Sequence, residues 1–258
     1  EQVNKHDLVT LLDQNKIEMS QTYTITLGNV NKDFFALDLP FLFKDHDHAS
    51  RVFEGPVGKQ LLDSLEESKR VKGLAFTYSG GFRIIPGNEA VSKIEDLRGM
   101  RVRTSHSPVA IDTFKAVGAD VVPMELEELT TGLEQADVAV GESTYPRVYA
   151  LGQNKVSKVV NHTEHSLFLT SILVGTDFWN KLTPELQAIV QEETERVSAL
   201  VGQALAPQVG YISIDLSGTR LMMHRLHPDI YVQLNISMGD AVSYDMGYSY
   251  CIDSEINE

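Results

Sequence analysis

Cysteine is nearly absent from this sequence, because its 258 residues include a single one, Cys251. A lone cysteine cannot form a disulfide within the chain and cannot build a cysteine-rich metal site. No base that would activate Cys251 as a nucleophile can be identified near it. The compartment is left open, because a cytosolic protein and a periplasmic protein without disulfides would share this composition.

Basic residues are also scarce. The chain has 22 lysines and arginines against 36 aspartates and glutamates, which gives a formal net charge of -14 at pH 7. Nucleic acids and anionic membrane surfaces both need a basic protein surface, so this balance argues against either as a partner. An anionic small molecule is not excluded, because a local arginine pocket can oppose the charge of the whole protein.

Long apolar runs and catalytic motifs are missing as well. No run approaches the roughly 18 apolar residues that a membrane span requires, so we expect no direct membrane insertion. The apolar stretch FFALDLPFLF, residues 34–43, is interrupted by Pro40 and is expected to pack under the core. The sequence contains no glycine-rich phosphate loop, no G-x-S-x-G elbow and no HExxH motif. We therefore predict no enzymatic activity and no cofactor.

Two histidine-containing segments could supply metal ligands. Asp45-His46-Asp47-His48 has suitable atoms, but consecutive side chains point in different directions, so a helix start is favoured. His162 and His165 flank a polar turn and have no clear third ligand, so a solvated turn is favoured there. We predict no metal site.

The most informative stretch is an alternation of short strands and helices around Arg103. The predicted elements are a strand ending at Arg103, a helix at 108–117, a strand at 120–123, an acidic helix at 125–135 and a strand at 137–140. Ligands of open α/β sheets bind outside the carboxyl ends of strands. Arg103 at such an end is a candidate carboxylate ligand, as is Arg83 after the strand predicted at 72–78. Pairing with acidic neighbours remains the alternative for both arginines.

Other predicted elements flank this stretch. Strands are expected at 17–27 and 167–175. A helix is expected over 46–67, with a break at Gly55-Pro56 and with Asp45 or Asp47 as its N-cap. Thr183-Pro184-Glu185 has the residues of a helix start, and the apolar spacing after it predicts a helix to about Ala206.

Several motifs resemble the solute-binding proteins of TRAP transporters, the tripartite ATP-independent periplasmic family. They are IEDLRGMRVRT at 94–104, FKAVGADVVPMELEEL at 114–129, the GLEQ and GES segments between 132 and 143, the helix start at 182–187 and the His227-Pro228-Asp229 turn. Upstream, Leu39-Pro40-Phe41 and the helix predicted to include 53–62 also resemble the family's corresponding segment. The resemblance therefore extends over most of the chain, with its motifs at compatible spacing.

The resemblance implies a two-lobe α/β fold, like that of periplasmic binding proteins, with crossover strands and one long helix spanning both lobes. Lobe I would comprise 1–80 plus 169–208, and lobe II would comprise 81–168 plus 209–258. The family's first strand has no counterpart before Glu1, so we expect a trimmed chain or a diverged member.

The resemblance also implies a ligand site. The family's carboxylate-binding arginine falls on Arg103, a second arginine on Arg83, and the loop glutamate on Glu142. Leu126 stands where the family has a pocket aromatic, and Ser143 stands where it has an asparagine. We further expect Tyr78 or Tyr23 to wall the pocket.

The implied function is that of a periplasmic solute-binding protein. It would capture a small organic acid by hinge closure and deliver the acid to TRAP membrane permease subunits. The alternative is a ligand-sensing input domain of a receptor with the same fold. An enzyme on this scaffold is a third possibility, against which the missing catalytic motifs speak.

Overall fold

The structure is a computed structural model that describes residues 8–205 and four short strands at 212–215, 220–223, 232–235 and 245–248. The chain divides into two units, Glu1–Gly202 and Gln203–Glu258. The His227-Pro228-Asp229 turn and Cys251 lie outside the described residues. The predicted lobe boundaries remain a prediction.

The strands and helices follow one another along the chain in a mixed α/β order. The strands are β1 Met19–Tyr23, β2 Val71–Phe82, β3 Ile85–Gly87, β4 Arg101–Thr104, β5 Asp120–Pro123, β6 Val140–Gly141, β7 Val159–Asn161, β8 Leu167–Gly175, β9 Ile212–Asp215, β10 Arg220–Met223, β11 Val232–Asn235 and β12 Asp245–Tyr248. The α-helices are α1 Leu8–Asp13, α2 His46–Phe53, α3 Pro56–Ser68, α4 Pro108–Ala116, α5 Leu129–Glu134, α6 Tyr145–Ala150, α7 Thr176–Trp179 and α8 Pro184–Leu205. Short 3₁₀ helices lie at Thr24–Asn29, Lys32–Asp38, Ile94–Leu97, Leu126–Glu128 and Gln153–Lys155.

The described residues of the first unit form two sheets. In the three-stranded sheet, β8 lies between β1 and β2 and is antiparallel to both. In the five-stranded sheet the order is β5-β4-β6-β3-β7. There β4 is parallel to β5 and β6, whereas β3 is antiparallel to β6 and β7. In the second unit, β9 pairs with β10 and β11 pairs with β12, both antiparallel.

Buried apolar residues hold the five-stranded sheet against its helices. One cluster joins the strands to α4 and consists of Ile85, Leu97, Val102, Phe114 and Val140. A second cluster joins α5 to β8 and consists of Leu126, Leu129, Leu133, Val138 and Phe168. Each large side chain buried in this way contributes about 1.5–3 kcal/mol relative to an exposed one. The two clusters fix the carboxyl end of β4, where Arg103 lies.

Several predicted elements are confirmed. The strand that ends near Arg103, the helix after Pro108, the strands at 120–123 and 167–175, and the long helix after Thr183 all form as expected. The helix α8 has 22 residues and is about 33 Å long. The helix predicted over 46–67 forms as α2 and α3, separated at Gly55-Pro56 as expected.

Other predictions need correction. The strand predicted at 17–27 ends at Tyr23, because the Thr26 hydroxyl donates to the Tyr23 carbonyl oxygen and the chain turns into a 3₁₀ helix. The strand predicted to stop at Tyr78 continues to Phe82. Gly80 and Gly81 adopt φ of 94° and 82°, which allow a bulge before Phe82 pairs again with β8.

The acidic segment 125–135 forms a 3₁₀ turn followed by α5 rather than one helix. The strand predicted at 137–140 is reduced to Val140–Gly141. The backbone N–H groups of Asp137 and Val138 donate to the Gly132 carbonyl oxygen and are therefore occupied before the strand begins.

The FFALDLPFLF segment lies only partly in the core. Phe34, Leu37 and Phe43 are buried as expected. Phe41 is 73% exposed and Leu39 and Leu42 are also exposed, so the prediction was wrong for these three residues. The Phe41 backbone adopts a φ of 58° directly after Pro40.

The Asp45 cap gives a stability prediction for α2. Asp45 has extended backbone angles, and its side chain accepts from the His48 N–H at 2.7 Å. We expect Asp45→Ala to lower the free energy of unfolding by about 1 kcal/mol, because that N–H loses its acceptor. Asp47→Ala, which removes an exposed charge from the same first turn, should cost only about 0.3 kcal/mol. Urea denaturation compares the two variants, and equal losses would show that the Asp45 cap contributes nothing beyond charge.

Candidate functional site

A cavity of about 160 Å³ in the first unit is lined by residues from both of its described sheets. The five-stranded sheet contributes Arg103 and the residues after β4, β5 and β6. The three-stranded sheet contributes Tyr23 at the end of β1 and Phe168 on β8. The complete lining is Tyr23, Ile25, Thr26, Asn29, Phe35, Arg83, Arg103, Ser105, His106, Ser107, Pro108, Met124, Glu125, Leu126, Glu142, Ser143 and Phe168.

Arg103 is held in this cavity by backbone carbonyl groups. It is buried, with 4% of its surface exposed. Its Nε and Nη2 atoms donate to the Met124 carbonyl oxygen at 2.9 and 2.6 Å, and Nη1 donates to the Glu142 carbonyl oxygen at 3.0 Å. A glycine beside it provides room, since a Cβ on Gly141 would lie only 2.9 Å from the Arg103 Cβ. The guanidinium is thus oriented before any ligand arrives.

In the part of the chain that the structure describes, Arg103 has no close anionic partner. No carboxylate oxygen of these residues lies within 4 Å of its guanidinium nitrogens. Three of its five N–H groups are used, which leaves two for a ligand. Burial lowers the pKa of Arg103 to about 10; the charge of Arg83 adds to this effect and that of Glu142 opposes it. The side chain remains a cation at neutral pH.

Arg83, the second predicted carboxylate ligand, is already paired. Its Nη1 lies 2.5 Å from Asp38 Oδ1, 3.0 Å from Ser166 Oγ and 3.8 Å from Glu142 Oε1. The guanidinium carbon also lies 4.8 Å from the centre of the Phe168 ring. Burial alone would lower the pKa of Arg83, but the charges of Asp38 and Glu142 raise it above its usual value. Arg83 lines the cavity as part of a buried ion pair.

Glu142 completes this buried network. Its Oε1 lies 3.0 Å from His165 Nε2, and its Oε2 accepts from the Ser105 N–H at 3.4 Å. Burial would raise the pKa of Glu142, but the charge of Arg83 and the hydrogen bond from His165 outweigh it. The pKa is held at about 2. The carboxylate is therefore ionised and held by protein groups.

His165 corrects the prediction of a solvated turn. It is buried, with 7% of its surface exposed, and its ring packs edge-on against Phe114 at 5.6 Å. Of the two histidines only His162 is partly exposed, as are Thr163 and Glu164 between them, and its Nδ1 is 2.8 Å from the Tyr145 hydroxyl. His165 lies two residues before β8, so the start of this buried strand carries it inward.

The depressed pKa of Glu142 predicts a pH dependence of stability. The pKa of Glu142 is about 2 in the folded protein and 4.5 in the unfolded chain. The ionised carboxylate therefore stabilises the fold fully at pH values above 4.5, and this stabilisation is lost as the pH falls towards 2. Between pH 5 and 2 we expect wild type to lose about 3 kcal/mol more stability than Glu142→Gln. Urea denaturation at several pH values measures the difference. In Glu193→Gln, which changes an exposed carboxylate, the free energy of unfolding should depend on pH as it does in wild type. If Glu142→Gln also showed the pH dependence of wild type, the low pKa assigned to Glu142 would be wrong.

Three further predicted residues line the cavity. Ser143 is buried, and its hydroxyl has no hydrogen-bond partner among the described residues. Its backbone pairs with that of Ile84 through two hydrogen bonds of 2.9 and 3.0 Å, so its position is fixed. Leu126 is buried in the wall, and Tyr23 stacks on Phe168 with ring centres 5.1 Å apart.

Tyr78 is the exception among the seven predicted site residues. It does not line the Arg103 cavity but a separate one beside Phe53, and its hydroxyl lies 3.1 Å from Ser50 Oγ. The other six residues come together in one cavity. Their roles in binding remain predictions.

Sequence reasoning missed three contributors to the site. Asp38 pairs with Arg83, Phe168 packs against Tyr23, and the Met124 carbonyl oxygen orients Arg103. The ion pair of Asp38 could have been predicted from the sequence. A single acid inside the apolar FFALDLPFLF stretch indicates a buried charge that needs a partner. Nothing in the sequence identifies a particular carbonyl group as the acceptor for Arg103.

Neither a cluster of metal ligands nor a membrane-spanning helix occurs among the described residues. The part of the chain that the structure describes contains no cluster of three histidine, cysteine or acidic side chains suited to a metal ion. The Asp45–His48 segment forms the start of α2, as predicted. In that same part of the chain, every helix is too short or too polar to traverse a bilayer.

Residues 1–210 match the DctP family model, described as bacterial extracellular solute-binding protein, family 7. The chain therefore belongs to this family of solute-binding proteins, which are not enzymes. The 2,3-diketo-L-gulonate-binding periplasmic protein YiaO of Escherichia coli is 32% identical over 181 residues, covering 69% of this chain and 55% of that protein. The chain spans about half the length of the curated relatives it matches.

Solved structures give the same classification. A TRAP periplasmic solute-binding protein from Ochrobactrum anthropi, with its C-terminus bound in the ligand-binding pocket, aligns with a TM-score of 0.73 and 29% identity over 80% of this chain and 64% of that one. One from Haemophilus influenzae with bound L-gulonate aligns with a TM-score of 0.70 and 28% identity over 78% and 65% of the two chains. The resemblance to TRAP solute-binding proteins and the two-lobe α/β fold class are confirmed.

Proposed function

We propose that this protein captures a small organic acid outside the cytoplasm, in the periplasm, and delivers it to the membrane permease of a TRAP transporter. Arg103 binds the carboxylate of the acid. The named ligands of the relatives described above, diketogulonate and gulonate, are sugar acids. This likeness supports an acid as the ligand class.

One observation carries the proposal: Arg103 is a buried cation that faces a cavity with two N–H groups to spare. A buried charge without a counter-ion is costly, and a bound carboxylate removes that cost while accepting a bidentate pair of hydrogen bonds. Because carbonyl groups already orient the guanidinium, little conformational entropy is lost on binding. Ser143 stands beside the Glu142 carbonyl group with a buried hydroxyl available for a neighbouring polar atom of the ligand.

Both sheets supply walls of the cavity, which supports capture by hinge closure. An acid held by Arg103 from the five-stranded sheet also contacts Tyr23 and Phe168 from the three-stranded sheet. A ligand that contacts both sides stabilises the arrangement in which the sides are closest. Closure also excludes water and strengthens the ion pair. The permease recognises the closed form.

A thermal-shift screen of organic acids tests the proposed function. An acid present at 100 times its dissociation constant should stabilise the folded protein by about 2.7 kcal/mol, or roughly 5–10 °C in midpoint for a protein of this size. Calorimetry then compares each positive acid with its neutral primary amide, which should bind at least tenfold more weakly. Equal binding of acid and amide, or an absence of any stabilising acid, would overturn the proposal.

A further inference from the structure

We propose that the cavity selects monocarboxylates against dicarboxylates, an inference that rests on the proposed function and narrows its substrate class. The selection arises because, among the described residues, the cavity presents one cation without a close carboxylate partner and two acidic side chains beside it. Some relatives of this chain are named C4-dicarboxylate-binding proteins, so family membership alone does not provide this distinction.

The first step is the charge balance of the lining. Two arginines face the cavity, but the charge of Arg83 is already balanced by Asp38, whose Oδ1 lies 2.5 Å from its Nη1. Glu142 is therefore a second acid beside a cation that Asp38 already balances. Of the lining arginines and lysines in the described part of the chain, Arg103 alone has no carboxylate within 4 Å. One carboxylate of a ligand therefore has a partner, and a second would find none.

The second step is the position of the acidic groups. Glu125 lines the cavity next to Met124, whose carbonyl group holds Arg103, and its Oε1 lies 3.6 Å from His106 Nε2. Glu142 lines the cavity from the other neighbouring strand end. The two glutamates thus stand on either side of the anchoring cation, one following β5 and one following β6.

The third step is the size of the space. The cavity of about 160 Å³ is small, and both Glu125 and Glu142 line it, so a second carboxylate bound inside would lie close to both acids. Charges separated by less than the Debye length of about 8 Å at physiological salt are only partly screened from each other. The repulsion between the second carboxylate and these glutamates in a desolvated site weakens the binding of a dicarboxylate.

The remaining walls suit an uncharged ligand body. The Ser143 hydroxyl, which has no hydrogen-bond partner among the described residues, can form a hydrogen bond with a hydroxyl or oxo group of the ligand close to the anchored carboxylate. Tyr23 and Phe168 form a stacked aromatic wall, and Leu126 adds an apolar side. The structure therefore assigns the site to a small monocarboxylate with a polar, neutral substituent near the acid group.

Two matched ligand pairs test the inference by calorimetry on the whole chain. Gluconate ends in an alcohol where glucarate has a second carboxylate. Succinamate ends in an amide where succinate has a second carboxylate. In whichever pair binds to the protein, we expect the monocarboxylate to bind at least tenfold more tightly than the dicarboxylate. Glu125→Gln should reduce that preference several-fold by removing one opposing charge. Glu134→Gln makes the same change of charge on α5 outside the cavity and should leave the preference unchanged.

The outcomes separate the two proposals. Dicarboxylates that bind as tightly as their monocarboxylate partners would overturn the charge selection and leave the proposed function standing. A preference that survives undiminished in Glu125→Gln would overturn the role of the lining acids. Binding of no member of either pair would count against both proposals.

Discussion

Replacing Arg103 by alanine should weaken ligand binding at least about 100-fold, which corresponds to about 2.7 kcal/mol. The loss is large because the ligand carboxylate would enter a buried site without its cation. Arg103→Lys should retain part of the affinity, because the charge remains while the planar fork of donors is lost. Isothermal titration calorimetry with an acid found by the screen provides the measurement.

A matched arginine on the same strand serves as the control. Arg101 lies two residues earlier on β4, its side chain is 49% exposed, and its Nε is 3.6 Å from Asp120. Arg101→Ala removes the same charge from the protein but should bind the acid with unchanged affinity. Circular dichroism of each variant confirms folding. Retention of full affinity by a folded Arg103→Ala protein would show that the carboxylate is bound elsewhere.

Replacing Asp38 by asparagine should lower the free energy of unfolding by about 3–5 kcal/mol. Arg83 would then be a buried cation whose nearest remaining carboxylate, that of Glu142, is 3.8 Å away. Removal of the close partner of a buried ion pair costs this much because the desolvated cation is left with only the longer contact to Glu142. Urea denaturation of wild type and Asp38→Asn measures the loss.

An exposed ion pair provides the comparison for this variant. Lys59 and Asp63 are separated by one turn of α3, and Lys59 Nζ lies 2.9 Å from Asp63 Oδ2. Their side chains are 76% and 47% exposed. Asp63→Asn should cost no more than about 0.5 kcal/mol, because surface pairs gain little over solvation. If Asp38→Asn cost as little as Asp63→Asn, the ion pair would not be part of the stabilising core.

The position of Arg103 followed from local sequence patterns. Alternating apolar residues predicted β4, Pro108 and Gly118 bounded the next helix, and the order of strands and helices predicted that Arg103 would lie at a carboxyl end. Gly118 indeed has a φ of 84°, the conformation that ends a helix. These features depend on residues close together in the chain, which is why the sequence sufficed.

The network around Arg83 depends on residues far apart in the chain. Asp38 lies 45 residues before Arg83, and His165 lies 23 residues after Glu142. No local periodicity specifies such pairs, since they form only when the two sheets are assembled. Tyr78 was misplaced for a related reason: alternation in a strand defines two faces but does not say which one borders the ligand cavity.

The most direct test of Arg103 as the anchor is a crystal structure with a bound acid from the screen. We predict that the two carboxylate oxygens lie about 2.7–2.9 Å from the guanidinium nitrogens of Arg103. The Met124 and Glu142 carbonyl groups should keep their present contacts, and Ser143 should bond a neighbouring ligand oxygen. A carboxylate bound away from Arg103, with that side chain still contacting carbonyl groups alone, would contradict the assignment.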